Sequence, residues 1–315
     1  MGKYSESPEW ADVTPVPTDE GGPNPLAAIA YSDEYGETMS YLRALMAANE
    51  YSERALSLTE DLISMNPAHY TVWLYRAKTL FELNADLEQE LEWLNEKALA
   101  HQKNYQIWHH RNLLIERIGK CDGEGEFVER MLELDSKNYH VWSYRQWLVR
   151  RFGLWEGEKG EELEFTERVL VRDVRNNSAW NHRWYIINGR EGSPGVQDEK
   201  VRDREVDFAT KAIAKAPQNP SPWTYLRGIF KKVGIPMTSL KVLAEEYADL
   251  SKVDDGGVRS SHALDLLADI WAEEKEAEKA SEALDLLSKR YDPIRRNYWE
   301  FRKGLLGLER ASAAA

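Results

Sequence analysis

Over most of this chain apolar residues recur at three- and four-residue steps, the spacing that gathers them on one face of an α-helix. Leu56, Leu62 and Ile63 share a face of a helix predicted to end near Asn66-Pro67. Leu87, Leu91, Leu94, Ala98 and Leu99 form a second such face, Phe127, Met131 and Leu132 a third, and Leu163, Val169 and Leu170 a fourth. No stretch alternates convincingly as a strand does. Each apolar helix, A, precedes a second helix, B, that carries a repeated phrase: Asn, an aromatic residue, then Trp and Arg three apart. It reads Asn104-Tyr105-Gln106-Ile107-Trp108-His109-His110-Arg111, then Asn138-Tyr139-His140-Val141-Trp142-Ser143-Tyr144-Arg145. A further copy is Asn176-Asn177-Ser178-Ala179-Trp180-Asn181-His182-Arg183, and an earlier one runs from His69-Tyr70 through Trp73 to Arg76. The Trp-to-Trp spacings are 35, 34 and 38 residues. A period in that range marks a helical-hairpin repeat, in which neither helix can bury its apolar face alone.

The predicted fold is therefore all-α, a single solenoid of about five to seven antiparallel hairpins over residues 26–310. Residues 1–25 hold Pro8, Pro15, Pro17, Pro23 and Pro25 with Gly21-Gly22, which forbids regular helix and predicts a mobile or extended arm. Residues 311–315 read as a featureless tail. Past Lys252 the register weakens, with helices expected near Ser260–Glu274 and Ala277–Arg290, and Trp299 and Arg302 keep the three-residue step.

Within the phrase, Trp and Arg at i and i+3 share a helix face. Packing alone accounts for Trp73, Trp108, Trp142 and Trp180: each fills the gap between neighbouring hairpins while its Arg bridges carboxylates or carbonyls at the seam. The Asn four residues before Trp (Asn104, Asn138, Asn176, Asn219) is placed to cap helix B. Other slots are not demanded by packing. Lys103, Lys137 and Arg175 stand five before Trp, Tyr70, Tyr105 and Tyr139 three before, and Gln106 and His140 two before. In a solenoid these helix starts align along one edge. Free N–H groups, positive helix ends and added cations would favour an anionic ligand or acidic partner there; solvated lysines at turns are the bland alternative.

Composition narrows the chemistry. The 315 residues carry a formal net charge of −13, against a nucleic-acid binder, which needs a basic footprint. Cys121 is the one cysteine, so no internal disulfide or Cys-rich zinc module can form. No apolar run approaches the ~20 residues of a membrane span, and the N-terminus lacks the apolar core of a secretory signal, so the expected location is cytoplasmic. The seven His show no metal-ligand spacing, and there is no phosphate loop or nucleophile elbow. Such a chain lends polar groups to a site whose main chemistry lies elsewhere.

The repeats from Leu62 to Gly228, above all Lys103–Arg111, Lys137–Arg145 and Asp173–Arg183, resemble those of the protein prenyltransferase alpha subunits, in particular the alpha subunit shared by farnesyltransferase and geranylgeranyltransferase type I. Tetratricopeptide repeats share a period of about 34 but not this Trp-Arg phrase. The resemblance implies a right-handed superhelical crescent wrapped around a beta subunit, in an obligate heterodimer. The beta subunit holds the catalytic Zn2+ and most of the isoprenoid pocket, and Mg2+ serves the farnesyl reaction. It implies transfer of a farnesyl or geranylgeranyl group from its diphosphate to the Cys of C-terminal CaaX motifs. By matching position, Lys103 is implied to lie at the diphosphate, Tyr105 beside the reacting centre, and Gln106 on the peptide carboxylate. Asn138, Tyr139 and His140 are implied to reach the diphosphate and lipid region. In the fourth and fifth copies Asn177 and Pro220 replace Tyr, and Leu226 stands where Arg is expected, with Arg227 one later; these point to packing or the subunit interface. The alpha subunit of Rab geranylgeranyltransferase and a non-enzymatic helical-repeat adaptor remain as alternatives.

Overall fold

A computed structural model describes residues 2–19, 21–22, 24–155 and 161–313, with side chains as far as residue 306. Among the described residues there is no strand, only an isolated bridge between Ala248 and Val258. The contacts divide the chain into two compact units, residues 1–148 and 149–315.

In the first unit the helices are α1 (Asp33–Ala48), α2 (Glu53–Met65), α3 (Tyr70–Leu83), α4 (Leu87–Ala100), α5 (Tyr105–Ile118), α6 (Glu124–Leu134) and the start of α7 (Tyr139–Phe152). The second holds α8 (Glu162–Arg172), α9 (Asn177–Asn188), α10 (Glu199–Lys215), α11 (Pro220–Val233), α12 (Lys241–Glu245), α13 (Ser261–Glu273), α14 (Ala277–Leu286) and α15 (Arg296–Ala313). A π-turn, Leu287–Tyr291, prolongs α14. The expected helices near 260–274 and 277–290 are thus present. The expected tail is helical through Ala313, and Ala314 and Ala315 lie outside the described residues.

The boundaries follow from local chemistry. Ser32, Ser52, Asp86, Asn104, Asn176, Asp198, Asn219 and Ser260 each accept a backbone N–H of the helix they open. Gly119 and Gly234 close α5 and α11 at positive φ, where a Cβ would strain the chain.

The Asn slot does more than cap. In each B helix the Trp indole N–H donates back to a carbonyl of the turn six residues earlier: Trp73 to Pro67 at 2.8 Å, Trp108 to Gln102 at 3.3 Å, Trp142 to Ser136 at 3.0 Å, Trp180 to Val174 at 2.9 Å and Trp223 to Pro217 at 2.9 Å. A carbonyl has two lone pairs. The second is filled by a cap residue from the next hairpin: Asn104 on Pro67 (2.8 Å), Asn138 on Gln102 (3.1 Å), Asn219 on Val174 (2.7 Å) and Ser260 on Pro217 (2.6 Å). Ser260 thus reveals α13 as a further B helix, with Leu264 in the slot where the repeat carries Trp.

The seam arginines meet a second regularity. Arg76 gives Glu90 two parallel bonds of 2.7 and 2.6 Å, Arg111 gives Glu124 the same pair, and Arg183 gives Glu205 bonds of 2.6 and 2.9 Å. Three residues past each Glu an aromatic ring carries the guanidinium: Trp93 at 4.1 Å, Phe127 at 3.6 Å and Phe208 at 3.8 Å. The next B helix completes each group, with His110 on Glu90 (2.8 Å), Tyr144 on Glu124 and Tyr225 on Glu205 (2.7 Å). His182 meets Glu162 in the same way at 2.6 Å. These charges are buried but paired and hydrogen-bonded, the condition under which burial is tolerated. In the fifth copy Leu226 is buried, and the displaced Arg227 turns instead to Asp265 and Asp269 on α13, which Arg302 of α15 also binds.

The first residues depart from expectation. Proline does exclude α-helix there, leaving one 3-10 turn at Pro8–Trp10. Yet Tyr4 and Trp10 are buried against Tyr41, with ring centroids 5.0 to 5.5 Å apart. Arg54 lies over Trp10 and grips Asp12 and Glu50, and Arg43 donates to the Val16 carbonyl at 2.8 Å. The two aromatic rings supply the docking surface that a prolyl segment otherwise lacks. Farther on, Leu26 and Ile29 are exposed.

Trp142→Ala should destabilise the fold by about 3–5 kcal/mol in denaturant titrations; melting like the parent would remove it from the core. A second prediction concerns His110, whose Nε2 faces Glu90 while Nδ1 is buried without a partner. Protonation would strand an N–H, and burial lowers the His110 pKa below its ordinary 6.5, against the opposing pull of Glu90. The unfolded chain then binds more protons than the folded one, so this residue's contribution to stability falls as pH drops through about 6.5. Tyr144 and Tyr225 occupy the same slot, so His110→Tyr should fold, and its melting temperature should fall less than the parent's between about pH 8 and about pH 5.5. Equal slopes would show that His110 does not set this dependence.

Candidate functional site

The predicted residues fall at the starts of α5 and α7, within the first unit. Asn104 and Asn138 fix where these helices begin. Their side-chain oxygens accept the N–H groups of Gln106 and Ile107 (2.8 and 3.1 Å) and of His140 and Val141 (2.9 and 3.5 Å). The helix ends therefore do not offer these N–H groups to a ligand, contrary to the expectation of a rim of free donors. Charge and hydrogen bonding at this edge come from side chains.

Three of the side chains come together. The Tyr105 and His140 rings meet edge-to-face at 4.3 Å, and Tyr139 lies 5.5 Å from the same imidazole. The His140 ring thus bridges the starts of α5 and α7. Partial burial lowers the His140 pKa below its ordinary 6.5, so the ring is neutral near pH 7. Tyr105 and Tyr139 are 68% and 69% exposed, unusual for rings that a core would bury, and their hydroxyls carry no partner among the described residues. Tyr70 holds the same exposed position at the start of α3. Lys103 extends with its side chain 79% exposed, its ammonium 3.7 Å from Asp135. Gln106 is half-buried and its side-chain amide is free among the described residues.

Asn138 stands apart. It is 3% exposed, and both ends of its amide are committed, to the start of α7 and to the Gln102 carbonyl. Its position in the strip follows from stitching two hairpins together. Sequence reading did not single out Asp135; its signal was an acid three residues before the cap Asn, a slot shared with Asp173.

In the second unit Asn177 and Pro220 leave the tyrosine slots without rings. The Ser221 hydroxyl bonds the Asn177 amide at 3.3 Å, and a cleft of about 360 Å³ opens along Trp184, Thr224 and Gly228. No group of three or more His, Cys, Asp or Glu that could hold a metal occurs among the described residues. No described helix is long and apolar enough to cross a membrane.

Among the described residues the helical hairpins present an exposed edge of Lys, Tyr and His. The protein prenyltransferase alpha subunit repeat matches residues 52–83, 87–118, 121–152, 160–189 and 202–233. The chain is 40% identical over 301 residues to the protein farnesyltransferase/geranylgeranyltransferase type-1 subunit alpha of Candida albicans, covering 93% of this chain and 95% of that one. The solved structure of Candida albicans protein geranylgeranyltransferase-I complexed with GGPP contains a similar chain. Its TM-score is 0.84 at 39% identity, over 94% of this chain and 97% of the other. Likeness to the geranylgeranyl transferase type-2 subunit alpha of the same organism is 32% and spans only 32% of each chain. This chain belongs to the protein prenyltransferase alpha subunit family, and its similarity to the Candida albicans type-1 subunit spans 93% of its length.

Proposed function

We propose that this chain is the alpha subunit of a heterodimeric protein prenyltransferase that moves a farnesyl or geranylgeranyl group from its diphosphate to the cysteine of a C-terminal CaaX motif. The observation that carries the reading is the meeting of Tyr105, Tyr139 and His140 on one exposed edge of two adjacent hairpins, with the exposed Lys103 two residues before Tyr105. In this reaction a cysteine thiolate attacks C1 of the isoprenoid, the C1–O bond breaks, and the electron pair leaves with the diphosphate. Lys103 meets the charge that gathers on the departing oxygens. The Tyr105 and Tyr139 hydroxyls donate to the same anion while their rings flank the lipid, and neutral His140 packs between the two tyrosines. Gln106 takes the carboxylate of the acceptor peptide. Asn138 acts through the turn it staples.

The family's zinc finds no ligand set among the described residues, so no step is assigned to a metal on this chain. Metal chemistry belongs to the beta subunit, whose pocket also sets the isoprenoid length. The cytoplasm, where CaaX proteins are made, is the matching location.

Lys103 interacts most strongly as the C1–O bond breaks. In purified heterodimer, Lys103→Ala should lower the single-turnover rate by about 10²–10³ while weakening isoprenoid binding less. Gln106 is remote from C1, so Gln106→Ala should chiefly raise the peptide KM. An unchanged single-turnover rate in Lys103→Ala would remove this strip from the active site.

A further inference from the structure

Asp135 ends α6 with an extended backbone (φ −140°, ψ 92°). One carboxylate oxygen accepts the backbone N–H of Lys137 at 3.2 Å, closing the turn that leads to Asn138. The other lies 3.7 Å from the Lys103 ammonium of the preceding hairpin. The turn needs only the first of these oxygens. At the corresponding place in the first hairpin, Asn66 closes the same turn with an amide oxygen, accepting from Ala68 at 3.2 Å, and Asp173 does so from Arg175 at 2.9 Å. The negative charge of Asp135 is therefore surplus to the turn, and it faces the cation assigned to the leaving group.

We propose that Asp135 is a positioning residue that competes with the diphosphate for Lys103: it holds the ammonium between turnovers and weakens retention of the anion. The inference rests on the assignment of Lys103 to the diphosphate. A lysine with its side chain in solvent samples many rotamers, and a carboxylate one hairpin away confines it to the edge where Tyr139 and His140 stand. A diphosphate carries more charge than a carboxylate and displaces it. On departure of the anion, Asp135 recaptures the lysine. Exposed pairs of this kind are weak, so the competition is modest and screened by salt.

The test uses heterodimer assembled with its beta subunit and inorganic diphosphate as the probe, with parent, Asp135→Asn, Lys103→Ala and the double variant compared. Asn keeps the turn, as Asn66 shows, and removes only the charge. Asp135→Asn should tighten diphosphate binding by about two- to fivefold at low salt, and the gain should shrink as salt rises. In the Lys103→Ala background the same substitution should have no effect. Unchanged or weaker binding in Asp135→Asn overturns the proposal, since a purely structural role predicts one or the other. Tightening that persists without Lys103 also overturns it, because Asp135 would then be repelling the ligand directly. The two assignments fail separately. If Lys103→Ala weakens binding while Asp135→Asn is neutral, only the role of Asp135 falls. If Lys103→Ala leaves diphosphate binding unchanged, both fall.

Discussion

A backbone carbonyl with two lone pairs, one taken by its own hairpin and one by the next, is the contact on which the rest of this structure depends. At Pro67, Gln102, Val174 and Pro217 the Trp indole of one B helix and the cap side chain of the following hairpin converge on a single oxygen. The arrangement fixes the distance between successive turns and the depth at which each B helix begins. Leaving either donor unpaired in a buried seam would cost more than the bond itself contributes, so the stitching is resistant to drift.

The site is a by-product of that stitching. Because Asn138 pins the start of α7 to the turn before α5, His140 falls against Tyr105. The Arg–Glu–aromatic groups deeper in the seam pair their charges with one another inside. What the edge then presents is side chains with little structural work: two tyrosines, a lysine and a glutamine amide. A subunit built this way can present groups to a partner's pocket without holding a reactive centre itself.

Much of this was legible in the residues. The Trp-Arg step announced the hairpin, because buried Trp and Arg at fixed spacing have few other uses, and Asn four residues before Trp announced the cap. The partners across the seam were not legible. Arg76 meets Glu90, but Arg183 meets Glu205, a separation of 14 residues in one case and 22 in the other. That separation depends on loop length, so no fixed spacing reveals it; the step from Glu90 to Trp93 or Glu124 to Phe127 is the signal that was available. Ser260 hid a B helix because it does the work of Asn without a Trp to mark it. Tyr4 and Trp10 hid in a prolyl segment whose composition argues about backbone, not about where a ring can dock. Residues such as Tyr105 stood out only because packing does not require them, and their ligand came from family resemblance rather than from any property of the rings.

The most direct measurement is the single-turnover transfer rate of Asn138→Ser and Asn138→Ala in assembled heterodimer. At Ser260 a serine already caps a helix and donates to the turn carbonyl, accepting from Ala263 at 3.2 Å and reaching Pro217 at 2.6 Å. Asn138→Ser should therefore stay within about threefold of the parent, while Asn138→Ala, which loses both bonds, should fall by about 10–100-fold as the site residues shift. If the alanine variant turns over like the parent, the staple does not set the site. If serine fails as badly as alanine, Asn138 acts on the ligand itself rather than through the turn it staples.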